Sequence, residues 1–149
     1  MFSQKFTVRW SDLDANAHMR NTAYIEYAMQ VRFAFFQANG YSTEAFSQQR
    51  FGPVIFREEI VYLKELHMLD EIDVNILLAG LSGDGARFIL ENHIFRADDG
   101  KEAAFIRSEG AWLNLETRKL MPPPEKLSQL LGSLDRTDPF VENWQSGKK

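Results

Sequence analysis

The chain has 149 residues, 44% apolar and 13% aromatic, with no cysteine, a length that fits one domain able to bury its own core. The missing thiols exclude a disulfide scaffold, a cysteine zinc site, an iron–sulfur cluster and a thiol nucleophile. Net charge −4 speaks against a nucleic-acid partner, and with no run of roughly 18 apolar residues and no signal-peptide pattern, a cytoplasmic location without a membrane span is expected.

Phe6, Val8 and Trp10 alternate with Thr7 and Arg9, which predicts a strand over residues 6–10. A polar break over 11–21 follows. From 22 to 39 the spacing turns helical: Tyr24, Tyr27, Ala28, Val31, Phe35 and Ala38 make one stripe, and Ile25, Met29, Phe33 and Phe36 widen it. Only Glu26, Gln30 and Gln37 mark a wet side, so a buried helix is expected. Asn21 or Thr22 is the expected cap, and Asn39-Gly40 the stop. The rest reads as sheet: 53–64, then 72–78 with Ile72, Val74, Ile76 and Leu78 facing one way, then 87–96, then 102–115. Ser82-Gly83-Asp84-Gly85 and Asp98-Asp99-Gly100 supply turn chemistry. Pro122-Pro123-Pro124 ends the sheet, 125–131 adds a short helix, and a loose tail is expected from about 133. This order predicts an α+β domain over 1–149, an antiparallel five-stranded sheet wrapped around one long central helix.

The chemistry concentrates in Trp10-Ser11-Asp12-Leu13-Asp14-Ala15-Asn16-Ala17-His18-Met19-Arg20-Asn21, a short loop feeding the start of the buried helix. Asp and Asn shape turns for local reasons. The sharper reading sets a carboxylate beside helix N–H groups that can bind a developing oxyanion. His67 and His93 fall on other predicted elements, and no spacing of histidines or acids indicates a metal site. Ser11, His18 and Asp12 are too crowded in sequence for a nucleophilic triad, and no Gly-x-Ser-x-Gly is present.

Trp10, Asp12, Asp14, His18, Asn21, Tyr24 and Tyr27 fall at the spacing of a known signature. The segment resembles hotdog-fold thioesterases related to 4-hydroxybenzoyl-CoA thioesterase. Gly52-Pro53-Val54-Ile55 and Ile60-Val61-Tyr62-Leu63 are similar to the second strand of that family, and the order of elements fits from about residue 5 to 120. Three positions depart: Ala17 stands for a usual Gly, Arg20 for the first of two Asn residues, and Leu69-Asp70-Glu71 for Leu-Gly-Asp.

The resemblance implies a thioester hydrolase acting on an acyl-CoA or an acyl-carrier-protein thioester, as a homodimer or homotetramer and without metal or other cofactor. It implies that Asp14 attacks the carbonyl or activates water and that the backbone N–H near Asn21 holds the oxyanion. His18, a lone histidine near a helix start, is expected either to donate a hydrogen bond to a loop carbonyl as a structural residue or to position the substrate or tune Asp14. Gly52, from a loop reaching over from a neighbouring subunit, is the substrate-binding candidate the resemblance implies; Tyr24, as a wall of an acyl channel, and Arg20, as a cation beside the loop, are further substrate-binding candidates. Arg57 and Arg87 are further basic candidates for the phosphates, and Glu26 is expected as a solvated or ion-paired residue. Two alternatives stand beside hydrolysis. An enoyl-thioester hydratase of the same fold carries Asp-x-Asn-Pro-x-His, but Asp14-Ala15-Asn16-Ala17-His18 lacks the Pro and brings His one position too close. A non-catalytic acyl-thioester-binding module has no use for an unpaired carboxylate at Asp14.

Overall fold

The computed structural model describes residues 1–145. In chain order it has β1 (Ser3–Thr7), a single 3-10 turn at Trp10–Asp12, α1 (Asn21–Ala38), α2 (Thr43–Gln49), β2 (Phe51–Tyr62), β3 (Glu71–Asn75), β4 (Leu77–Leu81), β5 (Arg87–Arg96), β6 (Glu102–Asn114), α3 (Glu125–Gly132) and β7 (Arg136–Val141). Among the described residues the expected five strands are therefore seven, set in five rows. β2, β6 and β5 are successive antiparallel neighbours. β3 and β4 together form the next row, both antiparallel to β5 and parted only at Ile76. β1 pairs with β3 and β7 with β4, so two short strands share the outer row.

Two expectations are corrected at the ends of the chain. The first strand stops at Thr7, and Trp10 begins the 3-10 turn, 78% exposed. The alternation persists as far as Val8, which is fully buried and exchanges backbone bonds with Asp70 and Leu69. Beyond it the Arg9 N–H bonds to Asp12 Oδ2 at 2.9 Å and turns the backbone. At the other end, the expected loose tail from 133 carries β7, parallel to β4, so the sheet is not wholly antiparallel. Polar residues alternate poorly there, and the strand is specified by the row it completes. Residues 146–149 of that expected tail lie outside the described residues. The helix expected at 125–131 is present as α3 and buries Leu127 and Leu131.

α1 packs Ala23, Tyr24, Tyr27, Ala28, Val31, Phe35 and Phe36 into the core. Its stop is as the sequence indicates: Gly40 takes φ +88° and the Tyr41 N–H returns to the Phe36 carbonyl at 2.8 Å. Its start differs. Arg20 precedes the first turn in extended geometry, and no side chain caps it. Tertiary bonds set the entry instead, Arg20 N–H to the Asp12 carbonyl and Met19 N–H to the Leu66 carbonyl, both 2.7 Å. The helix is also less enclosed than its girth suggests, because Met29 and Phe33 are 43% and 46% exposed.

Much of the aromatic content meets at the far end of α1. Phe36, Phe46, Phe51, Phe88 and Trp112 contact one another edge-on, tilted or stacked, with centroids 5.2 to 6.0 Å apart. Phe46 comes from α2, a helix in a stretch to which the sequence reading assigns no element. Gly110 in β6 is required there: a Cβ would stand 2.5 Å from the Val54 carbonyl oxygen and 2.8 Å from the Phe88 ring.

One buried polar group crosses the core. Arg32 donates to Asn92 Oδ1 at 2.9 Å and Ser108 Oγ at 2.6 Å, and Ser108 in turn donates to Glu58 at 3.0 Å. Glu58 of β2 thus reaches this network from the sheet.

A second network offers a pH-dependent test. His93 lies between Glu91, 3.0 Å from Nε2, and Glu102 at Nδ1. The bond to Glu91 raises the imidazole above its usual 6.5, burial opposes this, and Glu102 adds to the rise. A raised folded value means that the pair's stabilisation is complete below about pH 6.5 and is lost as pH rises through the folded value. Glu91, held low by His93 and Arg107, stays ionised across that window. Thermal unfolding against pH will therefore show His93→Gln less stable by about 1–2 kcal/mol in mild acid, with the gap narrowing above neutrality.

Candidate active site at the start of the long helix

Where the loop after β1 meets α1 and the end of β2, a cavity of about 310 Å³ opens. Asp14, His18, Met19, Asn21 and Tyr24 line one side of it, and Tyr62 to Glu65 line the other. A larger hollow of about 680 Å³ under the β4–β5 turn contains Asp84. That carboxylate is occupied by Ser82 Oγ and the Ala86 N–H, so it is a turn-shaping acid.

The two aspartates of the loop have separate duties. Asp12 is fully buried. Its carboxylate accepts from the Arg9 backbone and guanidinium and from the Tyr27 hydroxyl. Burial alone pushes this carboxyl up, but the bonds from Arg9 and Tyr27 outweigh it and hold Asp12 below the usual carboxylate range. Tyr27 is pushed up to about 12 by its burial and by Asp12. Asp12 is thus a structural anchor under the loop.

Asp14 is exposed and faces the cavity. Its Oδ1 accepts the Asn16 N–H at 2.9 Å and the His18 N–H at 3.3 Å, while its own N–H reaches the His18 carbonyl at 2.8 Å. The loop closes on that one oxygen. Among the described residues Oδ2 takes no hydrogen bond, leaving one carboxylate oxygen open to the cavity.

Tight closure forces Ala17 to φ +62°, a region Gly occupies freely and a Cβ resists. Ala at this position therefore carries backbone strain that Gly would not. Ala17→Gly is expected to raise stability by about 1 kcal/mol, or less if the freer unfolded chain offsets the gain. Chemical denaturation at constant m-value measures it.

Asn21 is the first residue of α1 and lines the cavity beside Asp14. An uncapped first turn presents N–H groups with no partner along the helix. Tyr24 is buried with its hydroxyl 3.4 Å from the Lys64 carbonyl, edge-on to Tyr62 at 5.1 Å. Burial, with added effects of Tyr62, Glu65 and Asp14, pushes the Tyr24 hydroxyl up to about 12, so it remains protonated. His18 Nε2 sits 3.2 Å from Glu65 Oε2, an acid partner where a loop carbonyl was expected.

Two substrate candidates lie elsewhere in the chain. Arg20 does not line the cavity. Its guanidinium turns along the helix to Thr22 and to Glu26, 3.2 Å away, which also gives Glu26 its expected ion pair. Gly52 is in β2, not in a loop, and pairs with Leu113. It stands ten positions from Tyr62, roughly 30 Å along the strand, so within one chain it cannot reach Asp14. Arg57 pairs with Glu109, and Arg87 lies over the Phe56 ring. The cation at the cavity is Lys64. Sequence reasoning missed Tyr62, Lys64 and Glu65, whose only signal was their place at the end of a long strand.

Residues 8–131 match the family described as the thioesterase-like superfamily, a span holding the Asp14 loop, α1 and every strand from β2 to β6. The chain belongs to the thioesterase-like superfamily. By class it is a thioester hydrolase with a hotdog-type fold. Solved structures agree on the fold. A 1,4-dihydroxy-2-naphthoyl-CoA thioesterase from Synechocystis is 16% identical, with a TM-score of 0.80 over 89% of this chain and 96% of that one. A Staphylococcus aureus protein solved in complex with CoA is 23% identical, with a TM-score of 0.82 over 99% and 92% of the two chains. A gentisyl-coenzyme A thioesterase is 19% identical, with a TM-score of 0.75 over 87% and 98%. Among the described residues, no helix is long and apolar enough to cross a membrane.

Proposed function

We propose that this thioesterase hydrolyses an acyl-CoA, or the same thioester on an acyl-carrier protein, with Asp14 and the first turn of α1 as its working parts. One observation carries this reading: the open oxygen of Asp14 and the uncapped helix start at Asn21 line the same cavity. A thioester carbonyl directed at the Asn21 N–H meets a donor and the positive end of the helix dipole, where negative charge develops as the carbonyl is attacked. Asp14 Oδ2 then serves as the nucleophile, or as the base that takes a proton from attacking water. Both routes use the one free oxygen; in the first, water then hydrolyses the anhydride formed between Asp14 and the acyl group and restores the carboxylate, so both end in an acid and a thiol. The thiolate leaves carrying the electron pair of the broken C–S bond and takes up a proton. The step uses a carboxylate and backbone dipoles, and coenzyme A is part of the substrate. His18 donates its backbone N–H to Asp14, and the protonated Tyr24 hydroxyl forms part of the wall. Lys64 is the cation placed to meet an anionic carrier group.

Assembly follows from β2. It is twelve residues long and among the described residues pairs only on its β6 side, with Ile55 and Phe56 exposed and the Met29–Phe33 stripe of α1 close by. A long, partly apolar free edge is a template for another strand. A second copy pairing along β2 gives a homo-oligomer and supplies the route by which Gly52 of one subunit approaches a neighbour's cavity. The cytoplasm, with its pools of acyl-CoA, is the location that fits this reading.

Thiol release across acyl-CoA chain lengths and aromatic acyl-CoAs tests the activity, with sedimentation for the assembly. Release from at least one of them is expected, and silence with every acyl-CoA and acyl-carrier substrate would overturn the reading. A 3-hydroxyacyl-CoA arm, expected to show no dehydration, separates it from hydratase chemistry.

A further inference from the structure

At the rim of the cavity three side chains from two segments converge. Glu65 and His67 stand on the connection between β2 and β3, with Leu66 between them buried completely. Alternation along extended chain puts the two flanking side chains on the opposite, outer side. His18 arrives from the loop before α1, and the Met19 N–H to Leu66 carbonyl bond at 2.7 Å lays the two segments side by side. Glu65 Oε2 is 3.2 Å from His18 Nε2 and 3.8 Å from His67 Nε2. One ligating atom from each of the three lies within 4.8 Å of the others.

Those separations suit a small metal ion. With Zn²⁺ bonds of about 2.0–2.1 Å, the edges of a tetrahedral ligand set are about 3.4 Å. One edge here is already near that length, and the others close with small rotations of half-exposed side chains. Two imidazole nitrogens and one carboxylate oxygen are the donor set of an open zinc site, with a fourth position left for water. His67 also has support behind it. Asp70 Oδ2 lies 3.7 Å from its Nδ1, the nitrogen facing away from Glu65, and is held there by the His67 backbone N–H, which donates to it at 2.8 Å. A carboxylate behind a ligating imidazole fixes the ring and raises its basicity. The His18 and His67 rings meet edge to face at 5.1 Å, leaving both Nε2 atoms free to point at Glu65.

We propose that His18, Glu65 and His67 bind a divalent transition-metal ion of the zinc class, fastening the Asp14 loop to the β2–β3 connection. Binding at this site is independent of the hydrolytic reading, since none of the steps proposed for the thioester passes through the ion.

The test is titration of untagged, chelator-stripped protein with Zn²⁺ alone, followed by calorimetry and thermal unfolding. One equivalent binds, and the unfolding temperature climbs with free Zn²⁺. His67→Ala and Glu65→Gln, both at exposed positions, each abolish that response with far-UV spectra unchanged. Asp70→Asn weakens binding by about tenfold, and His93→Gln leaves it intact. The proposal is overturned if no saturable binding occurs, if binding survives both His67→Ala and Glu65→Gln, or if His93→Gln removes it. An equal response to Mg²⁺, which avoids imidazole donors, would also overturn it.

Discussion

Asp14→Asn lowers the turnover of acyl-CoA hydrolysis by about 10²–10⁴-fold, the usual contribution of a positioned general base, and leaves the folded structure in place. The substitution separates chemistry from architecture because the two oxygens of Asp14 differ. Asn keeps an oxygen that can accept the Asn16 and His18 N–H groups, which close the loop. What it loses is Oδ2, which becomes an amide nitrogen able neither to attack nor to take a proton. The loss is expected in kcat, with KM little changed, since the remainder of the cavity wall stands. Steady-state thiol release beside a matched unfolding curve measures both. Full activity in the variant would remove Asp14 from the reaction, whereas a lowered unfolding temperature would show that the loop had failed instead.

The second large effect falls two residues earlier and in the opposite quantity. Asp12→Ala is expected to destabilise the protein by about 2–4 kcal/mol, the range for removing one member of a buried, charge-assisted network. The Tyr27 hydroxyl, buried beneath the loop, loses its carboxylate, and the Arg9 backbone N–H loses the acceptor that starts the 3-10 turn. The Arg9 guanidinium is 60% exposed, so its ion pair adds little. Most of the loss is therefore carried by Tyr27 and the backbone. A double-mutant cycle of Asp12→Asn with Tyr27→Phe is expected to give a coupling of about 1–2 kcal/mol. The pH dependence has a definite sign. Asp12 is held below its usual value, so its contribution is present above about pH 3.8 and fades as pH falls through the folded value. Acid unfolding of wild type and Asp12→Asn will converge at low pH if the network has this role.

Much of this was legible in the residues. Strict alternation at Ile72, Val74, Ile76 and Leu78 placed four side chains that are all fully buried. Asn39-Gly40 ended α1 because a positive φ there suits Gly. Those signals are local, a period or a conformational preference carried by a few neighbours. Other features lacked such a signal. The start of α1 is set by carbonyls of Asp12 and Leu66, one of them more than forty positions away. β7 completes a row of the sheet, and its sequence does not announce a strand. Arg20 looked like a cation for the substrate until the helix offered Glu26 one turn and a half away.

The site divides in the same manner. A chain without cysteine, carrying two carboxylates and a histidine before a long apolar helix, already pointed to a carboxylate working beside backbone N–H groups. The sequence alone therefore determined the chemical vocabulary and the segment that holds it. Spacing alone could not assign the two acids, since Asp12 and Asp14 are both turn formers on paper; only the family resemblance singled out Asp14. Burial separates them: one is sealed against Tyr27, and the other lies at the cavity with one oxygen unbonded among the described residues. Nor could it pair His18 with Glu65 and His67, because ligand geometry is a matter of angstroms between segments that the chain separates by some fifty residues. Local preferences are written in neighbouring residues; proximity across the sheet exists only once the core has drawn the chain together.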